Sequence, residues 1–197
     1  MEYTKPMHED AFRAGRALGL DHLKLGVWLF IGSEVMFFGG LIAAFLFYKV
    51  NNPTPESALL DVGLVGINTF VLLASSLTVV SALAAVGRGD VASMNLYLIA
   101  TIVLGVAFLS GQAYEFVSLF RHGLTLSSSV FGSSFFTLTG FHGLHVLVGV
   151  AWALSTFFRG MRGNYTRDEH IGVEVFGLYW HFVDIVWIVL FTVIYLI

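Results

Sequence analysis

The chain has 197 residues, of which 57% are hydrophobic and 12% are charged, and its mean hydropathy is +0.83. A soluble domain averages roughly 45–50% apolar and about 25% charged residues, so this chain has too little charge to coat a water-soluble globule. Its net charge of −3 offers no basic surface for nucleic acid. The lack of cysteine excludes disulfide frameworks and thiolate metal sites. Together these numbers indicate a membrane protein of one domain.

Five long apolar stretches follow one another along the chain. They cover residues 25–48, 62–86, 94–120, 130–158 and 171–197. Each reaches the length of about 20 residues that a spanning helix needs, and their continuous apolarity differs from the alternation of a barrel strand. The sequence therefore predicts an all-α bundle of five transmembrane helices. Residues 1–24 form a polar N-terminal segment, and residues 25–197 form the transmembrane domain.

Lysine and arginine are distributed unevenly between the two sides of these predicted spans. The side of the N-terminus, which includes the second and fourth loops, carries eight of them, and the other side carries two. Because basic loops stay in the cytoplasm, this asymmetry predicts a cytoplasmic N-terminus and an extracytoplasmic C-terminus.

Ionisable side chains inside a span are costly, so each one suggests a functional site. Those in the predicted spans are Glu34, Glu115, His142, His145, Glu174, His181 and Asp184. At about 1.5 Å per residue, Glu34 lies roughly 14 Å into the first span, near mid-membrane. Glu115 falls near the outer end of the third span, where its carboxyl can reach water, and Glu174 near the inner end of the fifth. Glu34 is either a neutral acid bonded to another helix or a proton-active carboxyl.

Two pairs of these residues share helix faces. His142 and His145 are three apart on the fourth span, as are His181 and Asp184 on the fifth, where Glu174 extends the same stripe. The pairs could meet at mid-depth, either as a haem or metal site or as hydrogen bonds between helices. Glycines that would let these helices approach closely are Gly140, Gly143, Gly149 and Gly177.

Six sequence runs, in one order along the chain, resemble a known family. They are Gly-Ser-Glu-Val-Met-Phe-Phe at 32–38, Pro-Thr-Pro-Glu at 53–56, Asn-Thr-Phe-Val-Leu-Leu-Ala-Ser-Ser at 68–76, Gln-Ala-Tyr-Glu-Phe at 112–116, Thr-Gly-Phe-His-Gly-Leu-His-Val at 139–146 and Tyr-Trp-His-Phe-Val-Asp-Ile-Val-Trp at 179–187. The sequence resembles subunit III of cytochrome c oxidase, in the haem–copper oxidase superfamily. It matches the last five of the seven helices of the longer form, as in the short bacterial form.

The resemblance implies a non-catalytic subunit of an oxidase in the bacterial inner membrane that reduces dioxygen to water and pumps protons. Such a subunit holds neither haem nor copper, which belong to subunits I and II. It packs mainly on subunit I, also neighbours subunit II and in some oxidases subunit IV, binds membrane lipid, and sustains proton uptake and turnover. Glu34 matches a carbodiimide-reactive carboxyl, and Arg159 matches an arginine that contacts a lipid headgroup. The positions that the resemblance assigns to structural bonding rather than to a redox centre are His142, His145, His181 and Asp184.

Three other functions remain as alternatives. Subunit III of a quinol oxidase shares the same helices, but the glutamate at position 34 favours the cytochrome c type. A haem-b membrane anchor would show a haem absorbance band. A small transporter usually shows paired repeats or broken helices, and the sequence contains neither pattern.

Overall fold

The computed structural model describes residues 22–51, 56 and 59–197. The predictions made for residues 1–21 and for the Pro53-Thr54-Pro55 run lie outside this part of the chain.

The described part of the chain is helical, with five helices long and apolar enough to cross a membrane. They are α1 (His22–Asn51), α2 (Val62–Gly87), α3 (Val91–Arg121), α4 (Val130–Met161) and α5 (Ile171–Phe191), and α5 continues into a π-helical turn, Thr192–Leu196. Each predicted apolar stretch falls on one helix, so the predicted all-α class with five spans is confirmed. The division into an N-terminal segment and a transmembrane domain stays a prediction.

Short polar signals set where the helices begin. The carboxylate of Asp61 accepts the backbone N–H of Leu64, and that of Asp90 accepts the backbone N–H of Ser93. Both residues are N-caps, which satisfy one of the unpaired N–H groups of a helix start. Hydrogen bonds from Ser93 lower the pKa of the Asp90 carboxyl, which lies in the turn between α2 and α3. Gly89 completes that turn at φ 81°, a left-handed conformation that favours glycine.

Helices α2, α3, α4 and α5 form a closed bundle, and α1 lies against its outside. Helix α3 packs on α2 and α4, and α5 packs on α2 and α4, while α1 contacts mainly α4 and α5. Of the residues in the most apolar stretch of α5, 56% are buried within the described part of the chain, compared with 11% for α1. Helix α5 is therefore the centre of the fold, and most of α1 is left to face lipid or another protein.

Small residues bring α3 and α4 close to the large ring of Trp180 on α5. A methyl group added at Gly105 would come within 2.9 Å of this ring, and one added at Gly149 within 2.7 Å. Gly143 is tight in the same way, because a methyl group there would meet the amide of Gln112 at 2.5 Å. The prediction is wrong for Gly140, where no described atom lies within 4 Å of an added methyl group.

Candidate functional site

The carboxyl of Glu34, near the middle of α1, is paired with a histidine. Its Oε2 lies 3.2 Å from Nε2 of His145 on α4, and both side chains are only slightly exposed, at 18% and 15%. The other ring nitrogen of His145, Nδ1, donates to the backbone carbonyl of Phe141 over 2.7 Å. The hydroxyl of Tyr179 on α5 donates to the carbonyl of His145 over 2.9 Å. Three helices, α1, α4 and α5, therefore meet at this carboxyl–imidazole pair.

His142, one turn before His145, is enclosed by aromatic rings. It is fully buried, stacks on Trp187 with ring centroids 4.7 Å apart, and meets the Phe108 ring edge-on at 5.8 Å. Neither of its ring nitrogens has a hydrogen-bond partner among the described residues. The rings hold it in place by packing alone.

The polar pair on α5 faces α2. Nδ1 of His181 and the hydroxyl of Ser76 are hydrogen-bonded at 2.6 Å. Asp184 is 3% exposed and lies close enough to interact with Ser76, although neither of its oxygens has a well-formed hydrogen bond among the described residues. His145 and His181 thus bond to other partners, while the side chains of His142 and Asp184 have no hydrogen bond among the described residues. The structure shows no hydrogen bond between the two pairs across the α4–α5 interface.

The other two carboxyls also have partners of their own. Glu174 forms ion pairs with Lys24 of α1 and with His170, the latter at 3.2 Å. The expectation that the Glu115 carboxyl reaches water is wrong, because this residue is 5% exposed and accepts a 2.8 Å hydrogen bond from the hydroxyl of Tyr195. The π-helical turn at the end of α5 carries Tyr195 over the end of α3, which closes that route to solvent.

Arg159 lies in a polar cleft at the end of α4. Its guanidinium is 5.6 Å from the centre of the Tyr165 ring. The cleft has a volume of about 610 Å³, and its charged lining comprises Lys24, Arg159, Asp168, Glu169, His170 and Glu174. Lys24 and Glu174 also line a second groove, which shares Trp28, Leu178 and His181 with an apolar groove of about 470 Å³ between α1 and α5. The polar cleft and the apolar groove therefore lie near each other.

Within residues 22–51, 56 and 59–197, no three histidine, aspartate or glutamate side chains converge as a metal site would require. What the intramembrane groups do is join helices. Glu34 with His145 joins α1 to α4, His181 with Ser76 joins α5 to α2, and Glu115 with Tyr195 joins α3 to the last turn.

Sequence reasoning missed the hydroxyl partners on α2. The indole N–H of Trp180 donates to Ser75, and that of Trp187 donates to Thr69, both over 2.9 Å. A signal was available, because the two tryptophans are two turns apart on α5 and the two hydroxyls recur at nearly the same interval on α2. Such matching intervals favour two antiparallel helices in register.

The fold and these contacts define an integral membrane protein whose buried polar groups connect its helices. The family model for cytochrome c oxidase subunit III matches residues 7–197. Cytochrome c oxidase subunit 3 of Thermostichus vulcanus is 37% identical over 192 residues, covering 92% of this chain and 94% of that protein. The subunit 3 proteins of Synechocystis and Bacillus subtilis are 42% and 41% identical, covering 87% of this chain and 74% and 84% of their own lengths. The chain therefore belongs to the cytochrome c oxidase subunit III family, whose members are subunits of haem–copper oxidases.

Proposed function

We propose that this chain is a non-catalytic subunit of a cytochrome c oxidase in the bacterial inner membrane. The complex passes electrons from cytochrome c to dioxygen, forms water and pumps protons, while the haems and copper sit in subunits I and II. This chain packs on subunit I, neighbours subunit II and, where present, subunit IV, and sustains proton uptake and repeated turnover. Its N-terminus lies in the cytoplasm and its C-terminus outside.

The observation that carries this proposal is that most of the intramembrane ionisable groups form contacts between helices, namely Glu34, His145, His181, Glu115 and Glu174. Both ring nitrogens of His145 are hydrogen-bonded, to Phe141 and to Glu34, and Nδ1 of His181 is hydrogen-bonded to Ser76. His142 is enclosed between Phe108 and Trp187, and both of its ring nitrogens are buried, which leaves no open space beside either nitrogen for a haem iron. A subunit built in this way supports chemistry that takes place in its neighbours.

Helix α1 supplies the surface for such neighbours. Its exposed apolar side chains include Leu29 at 69%, Met36 at 77% and Val50 at 75%. In the membrane such a face packs well against lipid or another apolar helix. The large exposed share of α1 is consistent with a contact to subunit I.

The polar cleft at Arg159 fits a phospholipid. Arg159 offers a cationic group to a headgroup phosphate beside the Lys24–Glu174 ion pair, and the nearby groove between α1 and α5 is apolar enough for an acyl chain. Lipid analysis of the purified oxidase with Arg159→Gln tests this assignment, which requires a loss of bound phospholipid relative to the unaltered complex.

Glu34 is the carboxyl that we expect a hydrophobic carbodiimide to modify first. Such reagents attack protonated carboxyls in apolar surroundings, and Glu34 is partly exposed near the middle of α1, where it contacts His145 beside an apolar groove. Glu115 is enclosed and bonded to Tyr195, and Glu174 is ion-paired with Lys24. Mass spectrometry of the labelled subunit should locate the adduct at Glu34, and an adduct mainly at either of the other carboxyls would contradict this order.

Deleting the gene for this chain tests the proposal as a whole. The oxidase purified without it should keep its full haem and copper content and its first turnover, and should lose activity faster during continuous turnover. Adding the gene back should restore the lifetime. A complex that lacks one haem only when this chain is missing would show that the chain holds a redox centre.

A further inference from the structure

The bonds of His145 fix which of its ring nitrogens carries hydrogen. Nδ1 lies 2.7 Å from the carbonyl oxygen of Phe141, one turn earlier on α4. A carbonyl oxygen can only accept a hydrogen bond, so Nδ1 must carry the proton. In a neutral imidazole the second nitrogen, Nε2, is then a bare acceptor.

That assignment constrains Glu34. Its Oε2 lies 3.2 Å from Nε2 of His145. If Glu34 were an ionised carboxylate and the imidazole neutral, two lone pairs would face each other across this distance. A hydrogen bond exists only if one proton lies between the two atoms, either on the acid or on an imidazolium.

We propose that Glu34 and His145 form a single site for one proton, in which His145 is the positioning residue and the pair has no net charge. The carbonyl of Phe141 sets the tautomer, and the tautomer makes Nε2 a partner for a protonated carboxyl. This deepens the proposed function, because it gives the proton-active carboxyl a defined partner. The number of protons is a property of this chain and can be measured whatever the role of the subunit in turnover.

The surroundings of the pair contain few groups that could replace either partner. The nearest titratable groups with which it interacts are Tyr179 on α5 and His142 on α4, and Tyr179 directs its hydroxyl to the backbone carbonyl of His145. The ring of Phe38 on α1 lies edge-on to the imidazole with centroids 5.1 Å apart. The charged Lys24 is ten residues before Glu34 on the same helix, about 15 Å along its axis.

The groove beside the pair is apolar. It has a volume of about 360 Å³, and its lining includes Phe30, Leu144, His145, Val148 and Trp152. The imidazole of His145 is therefore bordered by apolar side chains on this side of the pair.

Nitrogen-15 NMR of histidine-labelled, assembled oxidase tests the tautomer directly. Protonated and bare ring nitrogens resonate far apart, and the His145 signals are identified by their loss in His145→Gln. We expect a protonated Nδ1 and an Nε2 that shares a proton with a carboxyl. A bare Nδ1 with a fully protonated Nε2, together with an ionised Glu34, would overturn the proposal, because that pair carries a negative charge.

Infrared spectroscopy of the same complexes tests the positioning role. The Glu34 carboxyl band is identified by its loss in Glu34→Gln. Asparagine at position 145 keeps a group near Nδ1 but is too short to reach Glu34, whereas glutamine places an amide where Nε2 was. We therefore expect a shift of the Glu34 band in His145→Asn and a smaller shift in His145→Gln.

His181→Asn is the matched control, because it removes an imidazole that bonds to Ser76 rather than to the pair. His142→Asn is a second comparison should that variant fail to assemble. The band should stay in place in His181→Asn and move less in His142→Asn than in His145→Asn. Equal shifts in His145→Asn and in a control variant would mean that His145 acts only by packing, and the proposal would be wrong. Loss of turnover lifetime with an unchanged band would count against the proton site while leaving the proposed function intact.

Discussion

The hydroxyl of Tyr195 donates a 2.8 Å hydrogen bond to Oε1 of Glu115, and this bond ties the last turn of the chain to α3. Both residues are buried, at 9% and 5% exposure. On the other side of the same turn, the ammonium group of Lys49 donates to the carbonyls of Val193 and Ile194, each over 3.1 Å. One π-helical turn thus joins α1, α3 and α5 at this end of the bundle.

Removing the Tyr195 hydroxyl should therefore destabilise the subunit. In Tyr195→Phe the ring remains but the buried Glu115 carboxyl loses its donor, which costs about 1–3 kcal/mol. Thermal denaturation of the assembled oxidase, followed by release of this subunit, measures the effect. Tyr114→Phe is the control, since Tyr114 lies next to Glu115 in sequence but is 65% exposed. Equal release temperatures for the two variants would mean that the bond contributes nothing.

Close packing against Trp180 gives a second prediction. Gly149→Ala would place a methyl group 2.7 Å from the Trp180 ring, and overpacking of this kind costs about 1–3 kcal/mol. Gly140→Ala on the same helix meets no described atom within 4 Å and should be neutral or slightly stabilising. The yield of assembled complex and its resistance to heat should both fall for the first variant. Equal losses in Gly149→Ala and Gly140→Ala would contradict the prediction, because only the first methyl group meets the Trp180 ring.

The orientation in the membrane can be tested with reporters. The excess of lysine and arginine on the side of the N-terminus predicts that a reporter fused after Ile197 is extracytoplasmic. A reporter inserted in the loop between α4 and α5, for example after Asn164, should be cytoplasmic. Accessibility to a membrane-impermeant thiol reagent, with a cysteine as the reporter in this cysteine-free chain, distinguishes the two sides. Reversed labelling would contradict the charge argument.

The histidines give a prediction about redox centres. Replacing His142 or His145 with glutamine should leave the haem spectrum of the oxidase unchanged, because we assign both residues to helix contacts. The expected cost is in assembly and falls mainly on the His145 variant, since a partner of that imidazole loses a bond worth about 1–3 kcal/mol if left unsatisfied. Haem content per assembled complex is the measurement. Loss of one haem with normal assembly would show that a histidine of this chain is a ligand.

The helices were predictable from the sequence, because a continuous apolar run of this length crosses a bilayer as an α-helix. In lipid the backbone must satisfy its own hydrogen bonds, and a helix does so within the segment. Glu34 and His145 were also predictable as candidate site residues, because ionisable groups in a span are rare. Their pairing was not, since 111 residues separate them and it depends on how α1 lies against α4. Depth along a helix predicted an exposed Glu115, but depth does not say which way a side chain faces. The π-helical turn that brings Tyr195 to it has no simple pattern in the sequence.

The central claim is that this chain supports the oxidase from outside its redox centres, and single-turnover kinetics of Glu34→Gln test it most directly. Glutamine keeps the shape of the side chain and can donate to Nε2 of His145, so the complex should assemble with its full haem content. In a flow–flash measurement, the fully reduced variant should complete its first reaction with dioxygen at the rate of the unaltered oxidase. The difference should emerge over many turnovers, as altered proton uptake or faster inactivation. A fully assembled Glu34→Gln complex that fails in its first turnover would place Glu34 on the obligatory catalytic path and contradict the account.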